Sequence, residues 1–572
     1  DYWGAYIQDD FRLKPNFTLN LGLRYDYFGW FSEKHNDLAN FDFNLQNPAV
    51  PFKGALVYFG TPQHPSGAVF PANGPDLGPR FGFAWAPFKS RKTVVRGGYA
   101  VIFSNGISSA FGDQNGAIST PAFANYVPYS GDFTGQRPAF QLSQGAPPLS
   151  LPPADIAKKT NDQFLTTGFN MFLKAPKDPY VEQWSFNIQQ QLSTNMSLSV
   201  GYVGTHGMHL YGDEFRTYNF IPTAVRQKLR NNINNPIPVD ASLGPLYGCP
   251  ADPAIPGKVD CPGNIAYRPY PQYGSFFANV SPNGFNRYNS FQLRWEDHYN
   301  NGLNFILAYT IQKNIEAANY GSIIGNTATP TTLSRAVGRT SLVPGGISGG
   351  TGNFAGSNAA ENPDDLSAYT GLAPDDIPQV LNFAITYELP AGHGKRFFAH
   401  GPLSKVLGGW LLTQNWNFQS GVPITIEGPC DGIGSCRPNL IGNPAAGRSS
   451  NKAQQENQWW NPAAFEANFG NSPALIQEVS TGVNPDGTPF DYNSLNSWWQ
   501  YGNEGNNCSH CRAPGFWNAD AALTKEFHFS DTKYFQFQWQ VFNIFNHQNL
   551  GLPNSHWCLP PGADGETDLV HQ

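Results

Sequence analysis

The feature that most constrains this chain is strict alternation of apolar and polar side chains over segments of about ten to fourteen residues. In NFTLNLGLRYDYFG from Asn16, Phe17, Leu19, Leu21, Leu23, Tyr25 and Tyr27 share one face, and Thr18, Asn20, Gly22, Arg24 and Asp26 share the other. From Glu182, Trp184, Phe186, Ile188 and Leu192 line a face interrupted by Gln190, against Gln183, Ser185, Asn187, Gln189 and Gln191. Helical spacing fits neither segment. Phe291, Leu293 and Trp295 oppose Gln292, Arg294 and Glu296. After the turn Asn300-Asn301-Gly302, one apolar face resumes with Leu303, Phe305, Leu307, Tyr309 and Ile311, as in a hairpin. Near the end, Phe535, Phe537, Trp539 and Val541 alternate with Gln536, Gln538 and Gln540. The same period predicts about twelve strands, starting near Tyr2, Asn16, Gly78, Lys92, Asp178, Asn195, Arg287, Gly302, Asp375, Leu407, Pro514 and Thr532.

The connections alternate in length. Short turns fall at Lys14-Pro15, Lys89-Ser90, Ser193-Thr194, Asn300-Asn301 and Ser530-Asp531, with one longer turn between Pro390 and Val406. Between them lie Gly29 to Leu77, Asn105 to Lys177, Gly212 to Asn286, Ile315 to Pro374 and Glu427 to Ala513, rich in Gly, Pro, Asn and Ser. Long strands with every second connection elaborated predict an all-β fold, a transmembrane antiparallel up-and-down barrel with short periplasmic turns and long extracellular loops. The rival is a soluble sandwich or propeller, whose strands usually run to only about five or six residues. No apolar run reaches about 18 residues, which excludes helical membrane spans by length but leaves a barrel open. Over the 572 residues, 42 acidic against 35 basic side chains give a net charge of −7, against a nucleic-acid partner.

With long loops outside, the strand near Tyr2 runs toward the periplasm and the one near Thr532 runs outward. A complete barrel begins and ends on the periplasmic side, so an odd number of strands is expected before Asp1 and another after Gln572. An open edge in lipid would leave backbone groups unpaired. Residues 1–572 are thus expected to form one barrel domain that is part of a longer protein.

Six of the seven cysteines fall in close pairs, Cys249 with Cys261, Cys430 with Cys436 and Cys508 with Cys511. Small disulfide-clipped loops suit a compartment outside the cytosol; Cys558 is left over and competes for Cys508 or Cys511. A zinc site at Cys508-Ser509-His510-Cys511 would need more ligands than the cluster supplies. His206 and His209, three apart on a strand, point to opposite faces. Gly346-Ile347-Ser348-Gly349-Gly350 has the spacing of a nucleophile elbow without the strand and helix that motif needs. Asp364-Asp365 and Asp375-Asp376 read as turn formers, with surface calcium as the alternative. No catalytic residue, resident metal or cofactor is expected.

Arg24, Asp26, Arg96, Arg294 and Glu296 face the lumen, to pair across strands, to anchor whatever fills the barrel, or to touch a passing solute. Tyr27, Trp184, Trp295, Trp410 and Trp539 face lipid. Trp459, Trp460, Trp498 and Trp499 either form a ligand platform in the loops or pack the loops together.

Several stretches resemble TonB-dependent outer-membrane receptors: YIQDDFRLKPNFTLNLGLRYDYFG from Tyr6, GPRFGFAWAPF from Gly78, TVVRGGYAVIF from Thr93, PYVEQWSFNIQQQL from Pro179, RPNLIGNP from Arg437, PGFWNADAALTKEF from Pro514 and FQWQVFNIFNHQNLG from Phe537. Within that family they are most similar to the Oar-like group abundant in Acidobacteria, whose members carry a carboxypeptidase-regulatory-like domain ahead of a plug. The resemblance implies about 22 strands around a plugged lumen. It also implies assembly by the barrel assembly machinery in the outer membrane of a Gram-negative bacterium. The implied function is capture of a solute at the extracellular loops, with uptake driven by the TonB energy-coupling complex acting through the plug. Family members end in a strand with a terminal aromatic residue, whereas this chain ends DLVHQ. The rival functions are a surface or export-related barrel and a passive porin, since fold alone does not fix function. Nothing in the loops identifies the solute.

Overall fold

A computed structural model describes most of the chain from residue 2 to residue 553; the longest ranges outside its description are 105–160, 318–369, 427–437, 467–482, 490–501 and 554–572, with shorter ones in other connections. Each of the twelve expected strands is present: β1 (Tyr2–Lys14), β2 (Phe17–Phe28), β3 (Asp76–Trp85), β4 (Thr93–Phe103), β5 (Tyr180–Gln191), β6 (Met196–Gly212), β7 (Ser281–Asn300), β8 (Leu303–Ala317), β9 (Gln379–Glu388), β10 (Trp410–Gln419), β11 (Phe516–Ser530) and β12 (Lys533–Val541). They form one sheet in chain order, each strand antiparallel to the next. Among the described residues, β1 and β12 are each paired on one side only.

β7 begins at Ser281, earlier than alternation predicts, because Ser281-Pro282-Asn283-Gly284 shows no period and joins the sheet by pairing with the end of β6. The longer turn before β10 contains a short helix, Pro402–Leu407. The long connections also carry small sheets of their own, such as the hairpins Ala39–Gln46 with Lys53–Tyr58 and Pro236–Asp240 with Lys258–Pro262.

The register carries the alternation across the wall. Arg24 lies opposite Gly78, Arg80 opposite Ala100, Gly98 opposite Ser185, Asn187 opposite Gly201, and Gln292 opposite Thr310, all on the polar face. On the other face Trp3 pairs with Tyr27, Trp184 with Tyr99, Trp295 with Leu307, and Trp539 with Leu523. A wall one sheet thick has no interior, so outward side chains on inner strands, such as Phe186 and Phe291, stay more than 40% exposed; their burial is against lipid. Glycines let large outward rings lie flat. A Cβ on Gly204 would fall 2.3 Å from the Trp184 ring, and one on Gly97 would fall 2.4 Å from the Phe83 ring.

The fully buried side chains concentrate in the loops. Ala39, Phe41 and Leu56 from the connection after β2 pack on Tyr273 from the connection after β6. A second cluster joins Leu243, Val259 and the Cys249–Cys261 disulfide.

Candidate functional site

The polar face of the wall is the candidate site, because a period of two gathers there most of the Gln, Asn, Ser and Thr of the strands. Side chains two apart on one strand are neighbours on that face, so the sequence alone brings Arg24 to Asp26 and Arg294 to Glu296. Arg24 Nε donates to both Asp26 oxygens at 3.0 and 2.8 Å, and the Tyr2 hydroxyl donates to Asp26 Oδ1 at 2.6 Å while accepting from Arg24. Arg294 Nε donates to Glu296 Oε2 at 2.9 Å, and Ser197 Oγ donates to Glu296 Oε1 at 3.0 Å. Arg96 Nη1 donates to Gln189 Oε1 at 3.0 Å. All five predicted lumen residues are therefore tied to their own wall, which fixes their charge in place and leaves amides and hydroxyls as the exchangeable surface.

Arg80 is the residue the sequence reading missed. It lies on the polar face, exposed, with no hydrogen bond or ion pair among the described residues. It borders a 570 Å³ cavity whose floor includes Gly22, Gly82 and Gly98, with Gln8, Gln183 and Ser185 around it. The glycines thin the wall: a Cβ on Gly22 would stand 3.4 Å from the Arg80 Cβ. An unpaired guanidinium among neutral donors and acceptors suits an anionic or hydroxyl-rich group. Arg80 sits in GPRFG with the right parity, but its facing glycines come from other strands. A 780 Å³ cavity lies between Leu293, Leu307, Phe418 and Trp517 on the outward face and the loop residues Lys452, Gln455 and Trp459, away from Arg80.

Loops from separate connections lock together above the wall. Asn47 Nδ2 donates to the Tyr273 hydroxyl at 2.7 Å, and Gln272 Nε2 donates to the Lys53 carbonyl at 2.8 Å. Asn219, in the left-handed region at φ 59°, accepts from Tyr270 N and donates to the Tyr270, Tyr273 and Gly274 carbonyls. Burial pushes the Tyr273 hydroxyl up to about 12. The connection between β10 and β11 is fastened differently. Arg512 Nη2 meets the buried carboxylate of Asp376 at 2.5 Å, Arg512 Nη1 donates to the Asp376 carbonyl at 2.9 Å, and Asn314 N donates to Asp376 Oδ1 at 2.6 Å.

Two sequence expectations change here. Trp459 and Trp460 are 8% and 2% exposed, so they pack the loop and form no open platform. Arg448 lies 3.7 Å over the Trp459 ring, and Trp459 Nε1 donates to the Arg512 carbonyl at 2.8 Å. Asp376 keeps the expected turn, its N–H donating to the Ala373 carbonyl at 2.9 Å, but its carboxylate is buried as the anionic half of an ion pair, and no group of three metal-ligating side chains occurs among the described residues. Cys249–Cys261 and Cys508–Cys511 are disulfides, each with Cα atoms 5.0 Å apart. His206 faces Glu182 at 3.7 Å on the outward side, and His209 adopts φ 52° where the β6–β7 register shifts. Cys430, Cys436, Cys558, Trp498, Trp499, Asp364, Asp365 and the segment 346–350 lie outside the described residues.

A wall of antiparallel strands, polar toward one side and aromatic toward the other, with long loops at one end, defines a membrane-spanning β-barrel protein. Residues 1–558 match the family model described as an outer membrane beta barrel domain, and the chain belongs to that family. It resides in the outer membrane of a Gram-negative bacterium. Solved structures similar to it include the outer membrane transporter YddB from Escherichia coli, with a TM-score of 0.36 at 10% identity over 96% of this chain and 50% of that one. The FrpB iron transporter from Neisseria meningitidis gives a TM-score of 0.34 at 9% identity over 96% and 41%. The ferripyoverdine receptor of the outer membrane of Pseudomonas aeruginosa gives 0.32 at 9% over 96% and 35%. The chain thus spans half or less of the length of these proteins. No curated protein matches it.

Proposed function

We propose that this chain is part of the barrel wall of a TonB-dependent outer-membrane receptor, of the Oar-like group, that binds a solute at its extracellular loops and admits it to the periplasm. The observation that carries the reading is the polar face itself: neutral amides and hydroxyls, charges fixed in pairs, and one unpaired cation, Arg80, beside a glycine-floored cavity. Such a face suits a hydrated path or a polar plug. The one-sided pairing of β1 and β12 supports further strands, toward the 22 of the resemblance. Binding and gating need no covalent chemistry. Insertion would fall to the barrel assembly machinery, and energy would come from the TonB complex through a plug in the whole protein.

The test is uptake in the native bacterium. Cells would be offered labelled siderophores, glycans, peptides and vitamins, comparing the parent strain with one lacking this protein and one lacking TonB. Loss of the same solute from both mutants is expected. Uptake that persists without TonB would leave a passive pore in its place. In the same assay, Arg80→Gln is expected to lower uptake severalfold at unchanged protein level.

A further inference from the structure

Two cations on the outward face have no hydrogen-bond or ion-pair partner among the described residues: Arg287 on β7 and Lys313 on β8. Both are exposed, and both share their face with Phe291, Leu293, Trp295, Leu307, Tyr309 and Ile311. A bare cation facing the middle of the bilayer would cost about 2–4 kcal/mol, so height along the strand decides what these residues can do.

The register gives that height. Down β7 from Arg287 the outward parity carries no charge until Asp297, ten positions on, which its neighbours cover to 1% exposure. At about 3.4 Å per residue this is roughly 34 Å of strand, or about 24–28 Å of height at a tilt of 35–45°, which is the thickness of a barrel's apolar band. The uncharged stretch between the two positions therefore spans the band, and Arg287 stands at its long-loop, extracellular edge. Lys313 stands at the same edge, since its strand partner is Asn289, two positions from Arg287.

The row has one carboxylate close by. Glu182 accepts from the Tyr99 hydroxyl at 3.2 Å and lies 3.7 Å from His206, which is opposite Arg287. That engages Glu182 on the β5–β6 side and leaves the β7–β8 side cationic. Asn289 accepts from the Tyr202 hydroxyl at 2.6 Å, and its amide nitrogen makes no bond among the described residues. Below the cations, Phe291 and Ile311 are both more than 40% exposed. A guanidinium, an ammonium and an amide over an apolar strip match a phosphate headgroup with acyl chains beneath it. In the outer leaflet of this membrane the lipid with that chemistry is the phosphorylated glycolipid, lipopolysaccharide.

We propose that Arg287 and Lys313 form a binding site for the phosphates of outer-leaflet lipopolysaccharide, with its acyl chains on Phe291, Leu293 and Ile311. The site is independent of the transport reading and would hold for any barrel with this wall. It is tested on the whole protein extracted from outer membranes in mild detergent, by native mass spectrometry of bound lipid. Arg287→Gln with Lys313→Gln is expected to reduce retained lipopolysaccharide at least about tenfold, whereas Lys14→Gln at the opposite end of the wall leaves it unchanged. Equal retention in all forms would overturn the proposal. A second arm needs no variant: the wild-type protein in phosphatidylcholine bilayers doped with intact or dephosphorylated lipopolysaccharide should retain only the intact lipid. Retention of both forms, equal retention of phosphatidylglycerol, or displacement by millimolar inorganic phosphate would each overturn it.

Discussion

At the scale of single residues, the buried Asp376–Arg512 pair sets the firmest expectation. Its carboxylate is inaccessible and its guanidinium also holds backbone carbonyls, so removing one partner strands a buried charge. Arg512→Gln should cost the connection between β10 and β11 about 3–5 kcal/mol of local stability. Limited proteolysis should show cleavage there well before the wall is cut, and unchanged cleavage would refute the role. Tyr273 supplies a pH dependence of definite sign. Its folded pKa of about 12 lies above the ordinary 10.0, so between those values the folded loops keep a proton that the unfolded loops lose. Loop stability is therefore full below pH 10 and falls as pH rises toward 12, by on the order of 2–3 kcal/mol. Tyr273→Phe should abolish that alkaline dependence in amide exchange of the Lys53–Tyr58 strand, at the cost of the Asn47 hydrogen bond.

At the scale of elements, pairs of strands are fitted by large-against-small exchange on the outward face. Gly204→Val would drive a side chain into the Trp184 ring and should lower the heat-modification midpoint of the barrel, a loss of about 1–3 kcal/mol. Combining it with Trp184→Ala should recover much of the loss, and additive effects would show that the ring does not depend on the glycine. The Pro236–Asp240 hairpin depends on a different device. Its disulfide closes a 12-residue separation, and replacing Cys249 and Cys261 by serine should cost about 3 kcal/mol, seen as faster amide exchange confined to that hairpin.

At the scale of the molecule, the sheet's two outer strands each have one edge unpaired among the described residues, and lipid does not tolerate a free edge. In the whole protein the amides of β1 should exchange as slowly as those of β2. In residues 1–572 refolded alone they should exchange within seconds, unless copies associate edge to edge. Rapid exchange of β1 in the whole protein would remove the expectation of further strands beside it.

The sequence by itself determined the wall. Alternation is a property of consecutive residues, so twelve strands, their two faces and pairs two apart such as Arg24–Asp26 were legible without any knowledge of neighbours. It also located the membrane, because turn length alternates along the chain as the strands cross. The tertiary structure decided everything that depends on residues distant in sequence. It placed Arg80 beside Gly22 and Gly98, buried Trp459 and Trp460, gave Asp376 its arginine, and raised Arg287 and Lys313 to one level on the outward face. The physical reason is that a period of two fixes which side a residue faces, while register and loop packing fix what it meets there.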